Sequence, residues 1–132
     1  TQKDFEDTFE LIKKIKFINS FSFIFSPRPG TKAADLNLVD KAIAKNRLEK
    51  IQKILFAHQI DTNKSLVKKN VNVLVENKIK SQNKLFGRNK YLNSVIIDGK
   101  DEHIGKLVNV RIDKYNQNTL FGKITSLKYK AA

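Results

Sequence analysis

Apolar residues recur along this chain with two different periods, and the period changes near residue 70. Over residues 2–16, Phe5, Phe9, Ile12 and Phe17 form one stripe with Ile15 beside it, the spacing of an amphipathic helix. Asp4, Glu6 and Asp7 lie near its start and Lys13, Lys14 and Lys16 near its end, the charge order that the helix dipole favours. Asn19-Ser20 breaks the pattern. Phe21, Phe23 and Phe25 then alternate with Ser22 and Ile24, which predicts a strand with one aromatic face. Ser26-Pro-Arg-Pro-Gly30 ends that strand, because two prolines fix φ and withhold ladder donors while Gly30 permits a left-handed turn. Residues 32–38 read as a loop. A second helical pattern runs from near Asp40 to about Ser65, with Ala44, Leu48, Ile51 and Leu55 on one face. Lys41, Lys45, Lys50 and Lys53 occupy most of the remainder. Asp61-Thr62-Asn63 are cap-like, so the pattern predicts an end near Ile60 or a bend there.

From residue 70 the period becomes 2. Val71, Val73 and Val75 alternate with polar neighbours, and Leu85–Tyr91, Ser94–Asp98, Lys106–Asp113 and Leu120–Leu127 add four candidate strands. Asp98-Gly99 and Asn116-Gln117-Asn118 supply hairpin and loop chemistry between them. Five short strands in about sixty residues predict a small closed antiparallel barrel of OB-like size. The expected class is therefore α+β: residues 1–38 an αβ unit with more apolar surface than it can bury, 39–66 a linker helix, 67–132 the barrel.

Charge sharpens this division. The chain has 26 Lys+Arg against 13 Asp+Glu, a formal net charge of +13. Residues 1–63 hold 11 basic and 8 acidic residues, whereas residues 64–132 hold 15 and 5. A Lys-, Asn- and Ile-rich composition accounts for some solvated lysine, but not for the concentration of excess charge in the barrel half. A small basic module that also carries aromatics points to a polyanion, and nucleic acid is the commonest. Cysteine is absent, so these residues form no disulfide, zinc–thiolate site or cysteine-ligated iron–sulfur cluster. No apolar run is long enough to cross a bilayer, and the expected location is cytoplasmic.

Within the barrel half, Arg88, Lys90 and Tyr91 cluster on one predicted strand with Phe86 two positions before Arg88. Arg and Lys neutralise phosphates, and Tyr stacks unpaired bases. Phe86 reads more readily as core than as a stacking platform. Arg111 and Lys123 are further phosphate-contact candidates, and Asn93 is a candidate RNA contact or a turn residue. Gly87, Gly105 and Gly122 read as backbone-geometry positions. His58 and His103 have no partner at metal or triad spacing, and Asp98, Asp101 and Glu102 read as a solvated loop. Catalytic and metal-ligating residues are not expected in this chain.

The string Phe21-Ser-Phe-Ile-Phe-Ser-Pro-Arg-Pro-Gly-Thr31, with Ala33-Ala34 behind it, resembles the signature that closes the catalytic barrel of radical-SAM methylthiotransferases. Thr1-Gln-Lys-Asp-Phe5 with Thr8 resembles the segment that follows a glycine-rich turn in that family. Downstream, Val73-Leu-Val-Glu76, Phe86-Gly87-Arg88, Asn93 with Val95, Ile104-Gly105-Lys106 with Val108 and Val110, and Asn118-Thr-Leu-Phe-Gly122 resemble a TRAM domain. TRAM domains are small RNA-binding barrels at the end of MiaB-type tRNA methylthiotransferases and some tRNA methyltransferases. The resemblance covers essentially the whole chain. It departs at Lys68-Lys69, where the family often has Gly in the turn into the first barrel strand, and it lacks the upstream three-cysteine motif.

The resemblance implies a C-terminal portion that binds the tRNA anticodon arm and is inactive alone, its missing partners being the N-terminal and radical-SAM portions. An intact member would use two 4Fe–4S iron–sulfur clusters and S-adenosylmethionine to add a 2-methylthio group to isopentenylated adenosine beside the anticodon. Arg28, where the ribosomal-protein-modifying branch usually has acidic residues, leans towards a tRNA substrate. Its guanidinium has two readings: a bidentate contact to a carboxylate or phosphate of substrate or S-adenosylmethionine, or a brace for its own loop. The rival reading of the whole chain is a stand-alone basic OB-like RNA-binding or ribosome-associated protein without enzymatic activity. That rival requires the N-terminal piece to bury its aromatics; the first reading leaves Phe21, Phe23 and Phe25 exposed.

Overall fold

The computed structural model describes residues 1–80 and 82–127, which form two compact units, Thr1–His58 and one that begins at Gln59. The first unit holds helix α1 (Gln2–Ile15) and the start of helix α2 (Lys41–Leu66), the division between units falling within α2. Thr1 caps α1 by accepting from the Asp4 N–H at 3.2 Å. Asp40 does the same for α2, its Oδ1 accepting from Ala42 and Ile43 at 2.9 and 3.2 Å. The α1 stripe is used as its spacing requires: Ile12 is buried, Phe5 and Phe9 stack at 5.9 Å, and the Arg47 guanidinium lies 5.3 Å from the Phe5 ring centre. Arg47 Nη2 also donates to Gln2 Oε1 at 2.9 Å.

The strand expected at Phe21–Phe25 is not formed; between α1 and the 3-10 turn Lys32–Asp35, the described residues contain no strand. The physical reason is the absence of a ladder: a single strand leaves its backbone groups unpaired and is not stable in water. Phe21, Phe23 and Phe25 are 85, 82 and 54 % exposed, so the alternation lacks a neighbour to exploit it.

The second unit is a closed five-stranded barrel in the order β1-β2-β3-β5-β4. Its strands are β1 (Asn70–Ile79), β2 (Lys84–Asn89), β3 (Ser94–Asp98), β4 (Leu107–Tyr115) and β5 (Thr119–Leu127). All five expected strands are present. The barrel is not purely antiparallel, however. β3 and β5 run parallel, with Val95 opposite Leu120 and Ile97 opposite Gly122. An odd number of strands cannot close with every neighbouring pair antiparallel. The short 3-10 turn Asp101–His103 and strand β4 carry the chain away from β3, so β5 returns beside β3 in the same direction.

Period-2 alternation supplies the interior. Val73, Val75, Leu85, Val95, Ile97, Val108, Val110, Ile112 and Leu120 form one buried cluster, with Leu66, Val67, Val71 and Ile124 packed at its margin. Gly87 and Gly122 take inward positions opposite Val75 and Ile112. A Cβ at Gly87 would collide with the Leu74 carbonyl oxygen, and one at Gly122 with that of Arg111. Ladder irregularities sit beside both, between Val75 and Asn77 and between Ile112 and Lys114, where the strands bend to close.

Helix α2 runs through Asp61-Thr62-Asn63 without ending. Asn63 is not a cap. It is buried, and its Nδ2 donates to the carbonyls of Asn116 and Gln117 at 3.1 and 3.0 Å, holding the β4–β5 turn. At Lys68 the chain turns into β1 with φ +66°, the Lys68 N–H donating to Ile112 O at 2.7 Å. Glycine takes this left-handed position without cost, and here a lysine bears the strain. No helix among the described residues is long and apolar enough to cross a membrane.

Two substitutions at glycine-sensitive positions have opposite expected signs. Gly87→Ala destabilises the barrel by about 2 kcal/mol or more through backbone collision. Lys68→Gly stabilises it by about 1 kcal/mol by relieving the left-handed strain. Urea unfolding followed by circular dichroism measures both.

Candidate nucleic-acid interface

Strand β2 sets the first group of candidate contacts. Leu85, Gly87 and Asn89 point inwards, so Phe86, Arg88 and Lys90 point outwards. The expectation that Phe86 is core is therefore corrected. Its ring is half-buried on the outer surface, 5.2 Å below the Arg88 guanidinium carbon. Glycine at 87 decides this, because the inward slot has no room for a side chain and the alternation places both neighbours outside. Across the sheet Phe86 is registered with Ile96, and Ile96 with Phe121, which makes a half-buried apolar strip across β2, β3 and β5. Phe121, like Phe86, flanks an inward glycine and so faces out.

Arg88 is exposed and anchored. Its Nη1 lies 3.0 and 2.9 Å from the two carboxylate oxygens of Glu76 on β1. The pair is solvent-accessible, with side-chain exposures of 44 and 31 %, so it orders the guanidinium more than it stabilises the barrel. Lys90 and Tyr91 follow on the turn after β2, with Lys90 Nζ 4.7 Å from the Tyr91 ring centre and the ring half-exposed. Asn93 is 5 % exposed. Its N–H donates to Asn89 Oδ1 at 3.0 Å, its carbonyl accepts from the Asn89 N–H at 3.2 Å, and its own Oδ1 has no partner among the described residues. The structure thus ties Asn93 to the turn that carries Tyr91.

Arg111 and Lys123 are brought together elsewhere. They are exposed and directly opposite one another on β4 and β5, and Lys123 is also registered with Asp98 on β3. Lys84, another cation that the sequence pattern did not single out, lies 3.6 Å from Asp98. The Arg88 row continues through Leu74 to Leu107 on β4, and Arg111 is four residues further along that strand. At about 3.4 Å per residue this puts the two basic groups on separate parts of the barrel wall.

Arg28 lies in the first unit, exposed on the segment before Thr31. Its carbonyl accepts from the Thr31 N–H and Oγ1 at 3.2 and 2.8 Å, and its side chain makes no hydrogen bond among the described residues. The backbone, not the guanidinium, braces this turn. His103 Nδ1 is 3.0 Å from both the N and O of Lys100, so it closes its own loop.

Comparison with known proteins bears directly on this barrel. Residues 64–125 match the TRAM domain family. A tRNA-2-methylthio-N(6)-dimethylallyladenosine synthase from Pelagibacter ubique is 62 % identical over 132 residues, 99 % of this chain and 30 % of the relative. Proteins of the same name from Maricaulis maris and Agrobacterium fabrum are each 40 % identical, over 100 and 94 % of this chain and 29 and 28 % of their own lengths. This chain belongs with the C-terminal parts of the MiaB-type tRNA methylthiotransferases, TRAM domain included. It spans about 30 % of the length of the curated relatives it matches. The TRAM match begins at Lys64, so it takes in the last turn of α2, strands β1 to β4 and all but the last two residues of β5.

Glu76 is the charge that tempers this TRAM surface. Glu76→Gln releases Arg88 and removes a negative group from the Arg88 row. Stability is expected to change by no more than about 0.5 kcal/mol. RNA affinity at low salt should rise about two- to fivefold. An electrophoretic or fluorescence titration measures it, and weaker binding would mean that the Glu76 pairing is needed to aim the guanidinium.

Proposed function

We propose that this chain is the tRNA-positioning portion of a methylthiotransferase that adds a 2-methylthio group to isopentenylated adenosine beside the anticodon. The observation that carries this reading is the basic outer wall of a TRAM barrel, with Arg88, Lys90 and Tyr91 on one strand and turn and Arg111 beside Lys123. Such a wall neutralises phosphates and offers an aromatic face to an unpaired base. The relatives' printed name, a tRNA-modifying synthase, supplies the substrate class.

In this reading residues 1–38 are the end of the radical-SAM barrel, 39–66 a linker helix and 67–132 the RNA-binding domain. The exposure of Phe21, Phe23 and Phe25 supports the first assignment over a stand-alone RNA-binding protein, because aromatic residues at strand spacing and open to water call for a sheet to join. Arg28 then sits at the end of that strand, near the catalytic centre of the intact enzyme.

The intact enzyme's iron–sulfur clusters and S-adenosylmethionine supply its radical chemistry. This chain contains no cysteine, so these residues supply no thiolate ligand to a cluster. Their own work is to bind the anticodon arm and hold it by charge and stacking.

The test is a salt titration of this chain against an isolated anticodon stem-loop, an unrelated hairpin and single-stranded RNA. The anticodon arm is expected to bind most tightly. Reversing Arg88 and Lys90 to Glu should weaken that binding and lower the salt slope by about one for each phosphate no longer neutralised. Equal binding of all three RNAs would leave a general RNA-binding barrel, and unchanged binding of the variant would remove these two residues from the interface.

A further inference from the structure

The turn between β2 and β3 is held in a conformation that its own residues do not favour. Asn89 is 5 % exposed, and its Oδ1 accepts from the N–H groups of Tyr91 and Asn93, both at 3.0 Å. The Asn89 carbonyl accepts from the Leu92 N–H at 2.9 Å. One buried asparagine thus fixes the backbone of three successive residues. At the tip Leu92 has φ +63°, a left-handed conformation in which a side chain's Cβ crowds the following carbonyl. The other non-glycine residues with positive φ among those described are Lys16, Lys68 and Asn83, which makes Leu92 the one apolar member.

Leu92 is also 68 % exposed, and the neighbouring Tyr91 47 %. The Asn89 hydrogen bonds hold the strained backbone, but the exposed apolar area of the two side chains stays in water. Glycine or asparagine would take this φ at lower cost and leave no greasy surface in water. Strain retained in this way is found where a ligand is clamped. The surroundings say which ligand. Lys90 lies over the Tyr91 ring at 4.7 Å, Arg88 is exposed near the end of the preceding strand β2, and residues 64–132 hold 15 basic against 5 acidic residues.

We infer that Tyr91 and Leu92 form a rigid apolar clamp for one unpaired base of the bound RNA, with Lys90 and Arg88 taking the flanking phosphates. The inference rests on the RNA-binding reading above and adds Leu92 as a residue that discriminates unpaired from paired RNA. The base presents its π-face to Tyr91 and an edge to Leu92, and the pre-fixed turn spends no ordering entropy on binding.

The experiment uses the full chain with Leu92→Gly and Leu92→Asn, each tolerant of the left-handed turn. Binding is titrated with salt on an anticodon stem-loop and on a fully paired duplex of the same stem. Both variants are expected to bind the stem-loop about fivefold or more weakly, with the salt slope unchanged because no charge is removed. Duplex binding should not change. The melting temperature should hold or rise by about 2–6 °C as strain is relieved. Wild-type affinity in both variants, or an equal weakening on the duplex, would overturn the clamp while leaving the RNA-binding reading standing. Absence of RNA binding by the unsubstituted chain would overturn that reading, and the clamp with it.

Discussion

Closing five strands into a barrel this small forces neighbouring backbones together where the sheet bends, and the rest of the second unit depends on that approach. Gly87 and Gly122 occupy inward positions beside the carbonyls of Leu74 and Arg111, with no space for even a methyl group. Because the glycines fill the inner slots, the bulky residues on either side of them must face out. The same constraint that permits closure therefore places Phe86, Arg88 and Phe121 on the outer wall. Core geometry and candidate interface share one cause.

The outer wall is then organised by register. Arg88 stands against Glu76 and Phe86, Arg111 against Lys123, and Lys84 against Asp98. The Arg88–Glu76 and Lys84–Asp98 ion pairs are exposed and contribute little to stability, whereas Arg111 and Lys123 are like charges set side by side by register alone. Buried amides organise the backbone. Asn63 ties α2 to the β4–β5 turn, and Asn89 shapes the turn that carries Tyr91 and Leu92. Buried, hydrogen-bonded amides of this kind fix conformation because leaving them unpaired is costly.

The first unit shows the converse situation. Its helices are held through Phe5, Phe9, Ile12 and Arg47, while the aromatic alternation at Phe21–Phe25 finds no ladder and remains exposed without forming a strand. The chain spans about 30 % of its relatives' length.

Local periodicity in the sequence determined helix α1, helix α2 as far as Ile60, the five barrel strands and the inward valines, because helix and strand faces follow directly from spacing. The basic charge of the barrel half and the motifs shared with TRAM domains were equally legible, being properties of composition and order. Only the tertiary structure decided that β3 and β5 are the parallel pair, since strand direction depends on how distant segments return. It alone turned Phe86 outwards, because the deciding approach is between Gly87 and a carbonyl on another strand. Asn63 became a clamp and not a cap because its partners lie more than fifty residues away. Leu92 acquired its left-handed strain from a buried asparagine whose burial no local pattern reveals. Spacing along the chain fixes which face a side chain takes, and only closure of the barrel fixes what that face meets.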